Sequence, residues 1–208
     1  MGQFASGFRS VSSAFLVFSL IGCATTKAVT RQDLSTIKSV AVVRYATPQM
    51  PEITAGKQLA GFLLLGGIGA AIAIEASKKE APLDFGELVL QSFATRVKQQ
   101  IPEWPAMTIA EKPVDAKDLP GGPTLALRVR LIELSDSIGL RTFSTIEMTR
   151  ADGEVIWSKW FQYYSRQADR MRSIDEFKAD DNKLLNEEMH YAAERTVAAF
   201  IEHLRESK

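Results

Sequence analysis

Cysteine is nearly missing from this 208-residue chain: Cys23 is the only one. An intrachain disulfide and a cysteine-based zinc site are therefore both excluded. Histidine is almost as scarce, with only His190 and His203. Glu187 and His190 lie three apart, within reach of one helix face, but no further ligand falls into place beside them. Neither sign of charge dominates, because Lys plus Arg and Asp plus Glu both total 25. No overall field draws the chain onto nucleic acid, so a nucleic-acid partner is not expected. No G-x-S-x-G elbow occurs, and the serines have no histidine tied to them. The run Gly67-Ile68-Gly69 begins a dinucleotide-type fingerprint, but Ile72 stands where its third glycine belongs. Gly56-Lys57 is followed by Gln58 rather than by Ser or Thr, so the phosphate-loop pattern fails too. The expectation is a protein without enzymatic turnover and without a cofactor or metal.

What is present begins with an address. Arg9 precedes an apolar stretch from Val11 to Ile21, too short for a comfortable permanent span and of the length of a signal-peptide core. At its end stands Leu20-Ile21-Gly22-Cys23, which resembles the lipobox of bacterial lipoproteins. By that resemblance residues 1–22 are removed and Cys23 becomes the mature first residue, carrying a diacylglycerol thioether and an acylated amine. The covalent lipid on Cys23 is then the only prosthetic group expected. Several acyl chains, at roughly 0.8 kcal/mol for each buried CH2, hold where one chain holds weakly. Ala24 follows the cysteine where an aspartate would imply retention in the inner membrane, so the resemblance implies the periplasmic face of the outer membrane. Residues 23–37 read as a lipidated tether, and residues 38–208 as a single folded domain.

In that domain Val40 to Val43 form a continuous apolar run, the pattern of a central strand covered on both faces. Asp84 with Glu87 makes a capping-box-like start to a helix carrying Leu90, Ala94, Val97 and Ile101, ended by Pro102 and Pro105. A short strand "AMTIA" and a Pro/Gly-rich loop follow. From Thr124 the period is two: Leu125, Leu127, Val129 and Leu131 are expected on one face, Arg128 and Arg130 on the other. Two more strands joined through Asp152-Gly153 should pair antiparallel. The aromatic-rich last strand divides Trp157, Phe161 and Tyr163 from Trp160 and Tyr164; one set fills the core and the other is a candidate contact surface. Arg166, Arg170 and Arg172 read as a solvated loop. After a capping box at Ser173 and Glu176, a closing amphipathic helix covers about Asp181 to Glu206.

The expected fold is α/β (α+β), a mixed sheet of about five strands with two long helices as a second layer. "IKSVAVVRY", "TLALRVRLIEL" and "ADGEVIWSKW" resemble the small domain of the curli-secretion-channel subunit and of the lipoprotein activators of penicillin-binding proteins. The resemblance implies a binding, scaffolding or assembly component of the envelope with a protein partner.

One segment departs from that pattern, the glycine-rich insertion at 56–79, in which Leu59 to Ile74 carries no charge. Sixteen residues at 1.5 Å rise give about 24 Å, short of the roughly 30 Å hydrocarbon core. Gly61, Leu65, Gly69 and Ala73 lie four apart, as do Gly66 and Ala70, which suits close backbone approach. On one reading Gly61, Gly66, Gly67 and Gly69 make a membrane or subunit contact, and the chain is a homo-oligomeric channel or secretion subunit. On the other, the segment packs inside its own domain.

Overall fold

The computed structural model describes residues 26–54, 78–79, 83–115 and 118–206. Its strands are β1 (Ser39–Arg44), β2 (Met50–Ile53), β3 (Lys78–Lys79), β4 (Ala106–Ile109), β5 (Thr124–Ser135), β6 (Gly139–Thr149) and β7 (Val155–Tyr164). The helices are α1 (Arg31–Thr36), α2 (Phe85–Gln100) and α3 (Ile174–Glu206), with a 3-10 turn at Ser165–Ala168 before α3. The sheet is mixed. β1 runs parallel to β4 on one side and to β5 on the other, while β5, β6 and β7 form an antiparallel meander. β2 continues beyond β1 along the same edge of β5, pairing Glu52 with Leu134 and Ile53 with Ser135.

The helices occupy one face. Val40, Val42, Leu125, Leu127, Ile146, Met148 and Trp157 meet Phe85, Val89, Phe93 and Val97 of α2 and Leu185, Met189, Val197, Phe200 and Leu204 of α3 in one continuous core. Trp157 is fully buried, with Phe93 stacked at 6.4 Å and Trp104 edge-on at 6.3 Å. Both expected helix starts form as their sequences dictate. Asp84 accepts from Glu87 N at 3.2 Å, and Ser173 exchanges bonds with Glu176. Inside α3, Asp180, Asp181 and Asn182 adopt left-handed conformations that Asp and Asn tolerate better than most residues, so the long regular run begins after Asn182.

Three features differ from the reading of the sequence. A bulge in β5 between Val129 and Leu131 shifts the alternation, so Leu131 faces away from the core while Ile132 and Leu134 fill it. Strict period-two counting passes over such an extra residue. The folded unit also starts before Lys38. Val29, Leu34 and Ile37 are buried in the core, and α1 is capped by a reciprocal Thr30–Asp33 box. Lys27 N donates to Ser158 O at 2.9 Å, and Ser158 N donates back to Lys27 O at 3.0 Å, which stitches the stretch to β7. Finally, β2 and β3 pair antiparallel through Met50–Lys79 and Pro51–Lys78. The strand before the apolar insertion thus pairs with Lys78 and Lys79 at its far end.

Candidate functional site

The face of the sheet opposite the helices is the candidate site. Helical side chains that are buried belong to the single core on the other side, and among the described residues no helix lies over this face. Strand register sets its layout, because cross-strand neighbours on one face interact directly. Successive rows across β5, β6 and β7 read Ala126–Glu147–Ser158, Arg128–Thr145–Trp160, Leu131–Phe143–Gln162 and Glu133–Arg141–Tyr164. Lys27 extends the first row past Ser158.

Aromatic rings and guanidinium groups dominate these rows. Trp160 is 43% exposed and meets Phe143 edge-on at 5.9 Å. The Arg128 guanidinium lies 3.9 Å from the centre of the Tyr45 ring, and that of Arg141 lies 5.2 Å from Tyr164. With its amide turned to suit its neighbours, Gln162 accepts from Arg141 Nη2 and Nε at 2.9 and 3.0 Å. Arg141 Nη1 also approaches Glu133 Oε1 at 3.5 Å. Arg130 is the bulge residue, so it joins Arg128 on the same side of β5. Partial burial lowers its pKa first and the neighbouring Arg128 charge lowers it further, while Glu147 opposes the shift. Flat rings beside partly exposed guanidinium groups suit contact with another surface.

Other recesses are already satisfied by their own side chains. At the carboxyl end of β1, a recess of about 290 Å³ is lined by Ala46, Thr47, Pro48, Gln49, Leu83, Asp84 and Pro113. The amino terminus of α2 opens there, but Asp84 caps it and also accepts from Thr47 Oγ1 at 2.6 Å. Arg44 is held by Glu87 Oε2 at 2.6 Å and Asp84 Oδ2 at 2.7 Å. Gly86 permits this packing, since a Cβ there would stand 2.8 Å from Thr47 Oγ1. Under the start of α3, buried Glu188 accepts from Tyr163 Oη at 2.5 Å, Ser165 Oγ at 2.6 Å and Arg170 Nε at 2.7 Å. Burial first, and then the Glu188 bond and charge, push the Tyr163 phenol well above its ordinary range.

The residues singled out in the sequence fare unevenly. Trp160 and Tyr164 do come together on the open face, and Trp157 and Tyr163 enter the core, as alternation requires. Arg170 leaves the expected solvated set: it engages Glu188 and lies 4.3 Å from the Tyr191 ring centre. Glu187 and His190 do not share a site, since Glu187 lines a recess with Asp169 and Arg170, and His190 another with Arg96 and Glu194. Among the described residues no group of three or more potential metal ligands gathers. Cys23, Gly61, Gly66, Gly67 and Gly69 lie outside the described residues. Sequence reasoning missed Phe143, Gln162 and Tyr45 as members of the face, although the bulge apart, period-two counting along β6 would have placed Phe143 with Arg141 and Thr145.

No protein-family model matches the chain, and no curated protein matches it. Among solved structures it is similar to an uncharacterized protein at 10% identity and a TM-score of 0.45, covering 86% of this chain and 99% of that one. It is also similar to a PelC dodecamer from Paraburkholderia phytofirmans, at 16% identity and a TM-score of 0.43, covering 86% and 92%. A protein from Xanthomonas campestris shares 9% identity at a TM-score of 0.44, covering 89% and 98%.

Proposed function

We propose that this chain is a lipid-anchored component of the cell envelope, held on the periplasmic face of the outer membrane, that works by binding rather than by turnover. The lipobox-like Leu20-Ile21-Gly22-Cys23, followed by Ala24, supports the anchor and its address. The open face supports binding as the mode of action. The single observation that carries the reading is the pairing of Lys27 with Ser158. Lys27 lies four residues after Cys23, at most about 14 Å of extended chain, so an acylated Cys23 holds the β7 edge of the sheet against the leaflet. A scaffolding or assembly role with an envelope protein partner follows from a domain held so close to its membrane.

A second reading is a homo-oligomeric channel or secretion subunit that uses the glycine-rich segment as a membrane element. The β2–β3 ladder favours it, because the strand before the segment pairs with Lys78 and Lys79 after its apolar run. Mass measurement of the processed amino terminus, with fractionation of a Cys23→Ala variant, tests both. An acylated Cys23 and full release of the variant support the anchored binder. Membrane association that survives the substitution and requires Leu59 to Lys79 supports the inserting oligomer. A processed terminus with an unmodified thiol refutes the anchor.

A further inference from the structure

We propose that the occupant of the open sheet face is the phospholipid surface itself: the domain lies with Trp160 and Arg128 against the headgroups of an anionic leaflet. This deepens the anchored reading and rests on it for the orientation, though its chemistry stands on the face alone. Three observations converge. Lys27 is fixed beside Ser158 and lies four residues after Cys23, so the leash holds the β7 edge of this face within about 14 Å of the leaflet. Trp160 is two residues along β7 from Ser158, roughly 7 Å, which puts the most exposed ring of the face next to the point of attachment. Indole and phenol rings favour the headgroup level, where one end is apolar and the other wet.

Charge completes the match. With Lys27 at the edge paired to Glu154, the rest of the face carries Arg128, Arg130 and Arg141 against Glu133 and Glu147, a net of one positive charge. Since Arg141 is engaged by Glu133 and Gln162, the remaining positive field concentrates at Arg128 and Arg130. These two cations already repel each other, and a phosphate between them relieves that repulsion. Arginine and aromatic groups serve protein interfaces as well; what favours lipid here is the short leash, which keeps the β7 edge of this face beside the headgroups.

The tryptophans make the test local. The chain has three, and Trp104 and Trp157 are buried in the helix-side core, so only Trp160 is placed for a lipid quencher to reach. The full chain, extracted from membranes and checked by mass for acylation at Cys23, is combined with phosphatidylethanolamine–phosphatidylglycerol vesicles containing brominated lipid. Quenching of tryptophan emission is expected, lost in Trp160→Phe and reduced about tenfold at limiting lipid in an Arg128→Ala/Arg130→Ala variant or on phosphatidylcholine alone. Retained near-ultraviolet circular dichroism from Trp104 and Trp157 certifies that the variants fold. Quenching with an unacylated Cys23 sustains the face and refutes the anchor. An acylated Cys23 with Trp160 unquenched by lipid overturns this inference and leaves the anchor standing. A crosslink between positions 160 of two copies, or protection of Trp160 by a protein with no lipid quenching, also overturns it.

Discussion

Replacing Glu188 by alanine removes the acceptor that three elements share. Its carboxylate is almost fully buried on α3 and receives Tyr163 from the end of β7, Ser165 from the 3-10 turn and Arg170 from the turn that follows. The three donors fare differently once it is gone. Ser165 Oγ already lies 3.3 Å from Leu140 O and can redirect its proton there. Arg170 is 41% exposed and returns to water, so its share is screened to about 1 kcal/mol or less. Tyr163 is only 4% exposed, and its hydroxyl is left without its acceptor, which costs about 1–3 kcal/mol. With the small cavity added, and the relief of one desolvated charge subtracted, Glu188→Ala should destabilise by about 3 kcal/mol, or roughly 6–12 °C in Tm for a domain of this size. Glu188→Gln keeps the shape and one acceptor and should cost about half as much. The decisive experiment is a double-mutant cycle with Tyr163→Phe by denaturant unfolding. Because the phenylalanine abolishes the orphaned hydroxyl, the pair should be less harmful than the sum by about 1–2 kcal/mol. Strict additivity, or an alanine cost below about 1 kcal/mol, would refute the account of a shared buried acceptor.

Alkali should act on the same residue. The folded state holds the Tyr163 phenol neutral above its ordinary value of 10.0, so its contribution is intact below pH 10 and is lost as pH rises beyond it; a stability–pH profile should lose that alkaline fall in Tyr163→Phe. Acid should act on His203, whose Nδ1 accepts from Trp157 Nε1 at 2.9 Å. Burial first, then Lys159, lowers its pKa below 6.5, so the neutral ring's contribution is full above that value and declines as pH drops; His203→Asn, which keeps an acceptor nearby, should flatten the decline. Gly139→Ala should cost about 2–3 kcal/mol in urea unfolding, since φ is +72° and the added Cβ would sit 2.7 Å from Ser165 Cβ. A change under about 0.5 kcal/mol there would show that the β5–β6 turn relaxes freely.

Local chemistry in the sequence sufficed for much of this molecule. The spacing of Leu185, Met189, Val197 and Leu204 and the capping boxes specify α3 and its buried stripe, because a helix needs only its own neighbours along the chain to define a face. Alternation in β7 likewise divides Trp157 from Trp160 without reference to any partner strand. The signal-like apolar run and the lipobox-like Leu20-Ile21-Gly22-Cys23 are linear patterns, read from the sequence alone and lying outside the described residues. Tertiary structure decided the rest. The bulge that turns Leu131 outward depends on how β6 pairs with β5, and the stitching of Lys27 to Ser158 joins residues 131 positions apart. Which face of the sheet stays open depends on both long helices settling on one side, a matter of packing that no single segment encodes. Glu188 shows the same division: by itself it reads as one more solvated carboxylate on a polar helix, and only the fold delivers a phenol, a hydroxyl and a guanidinium to it.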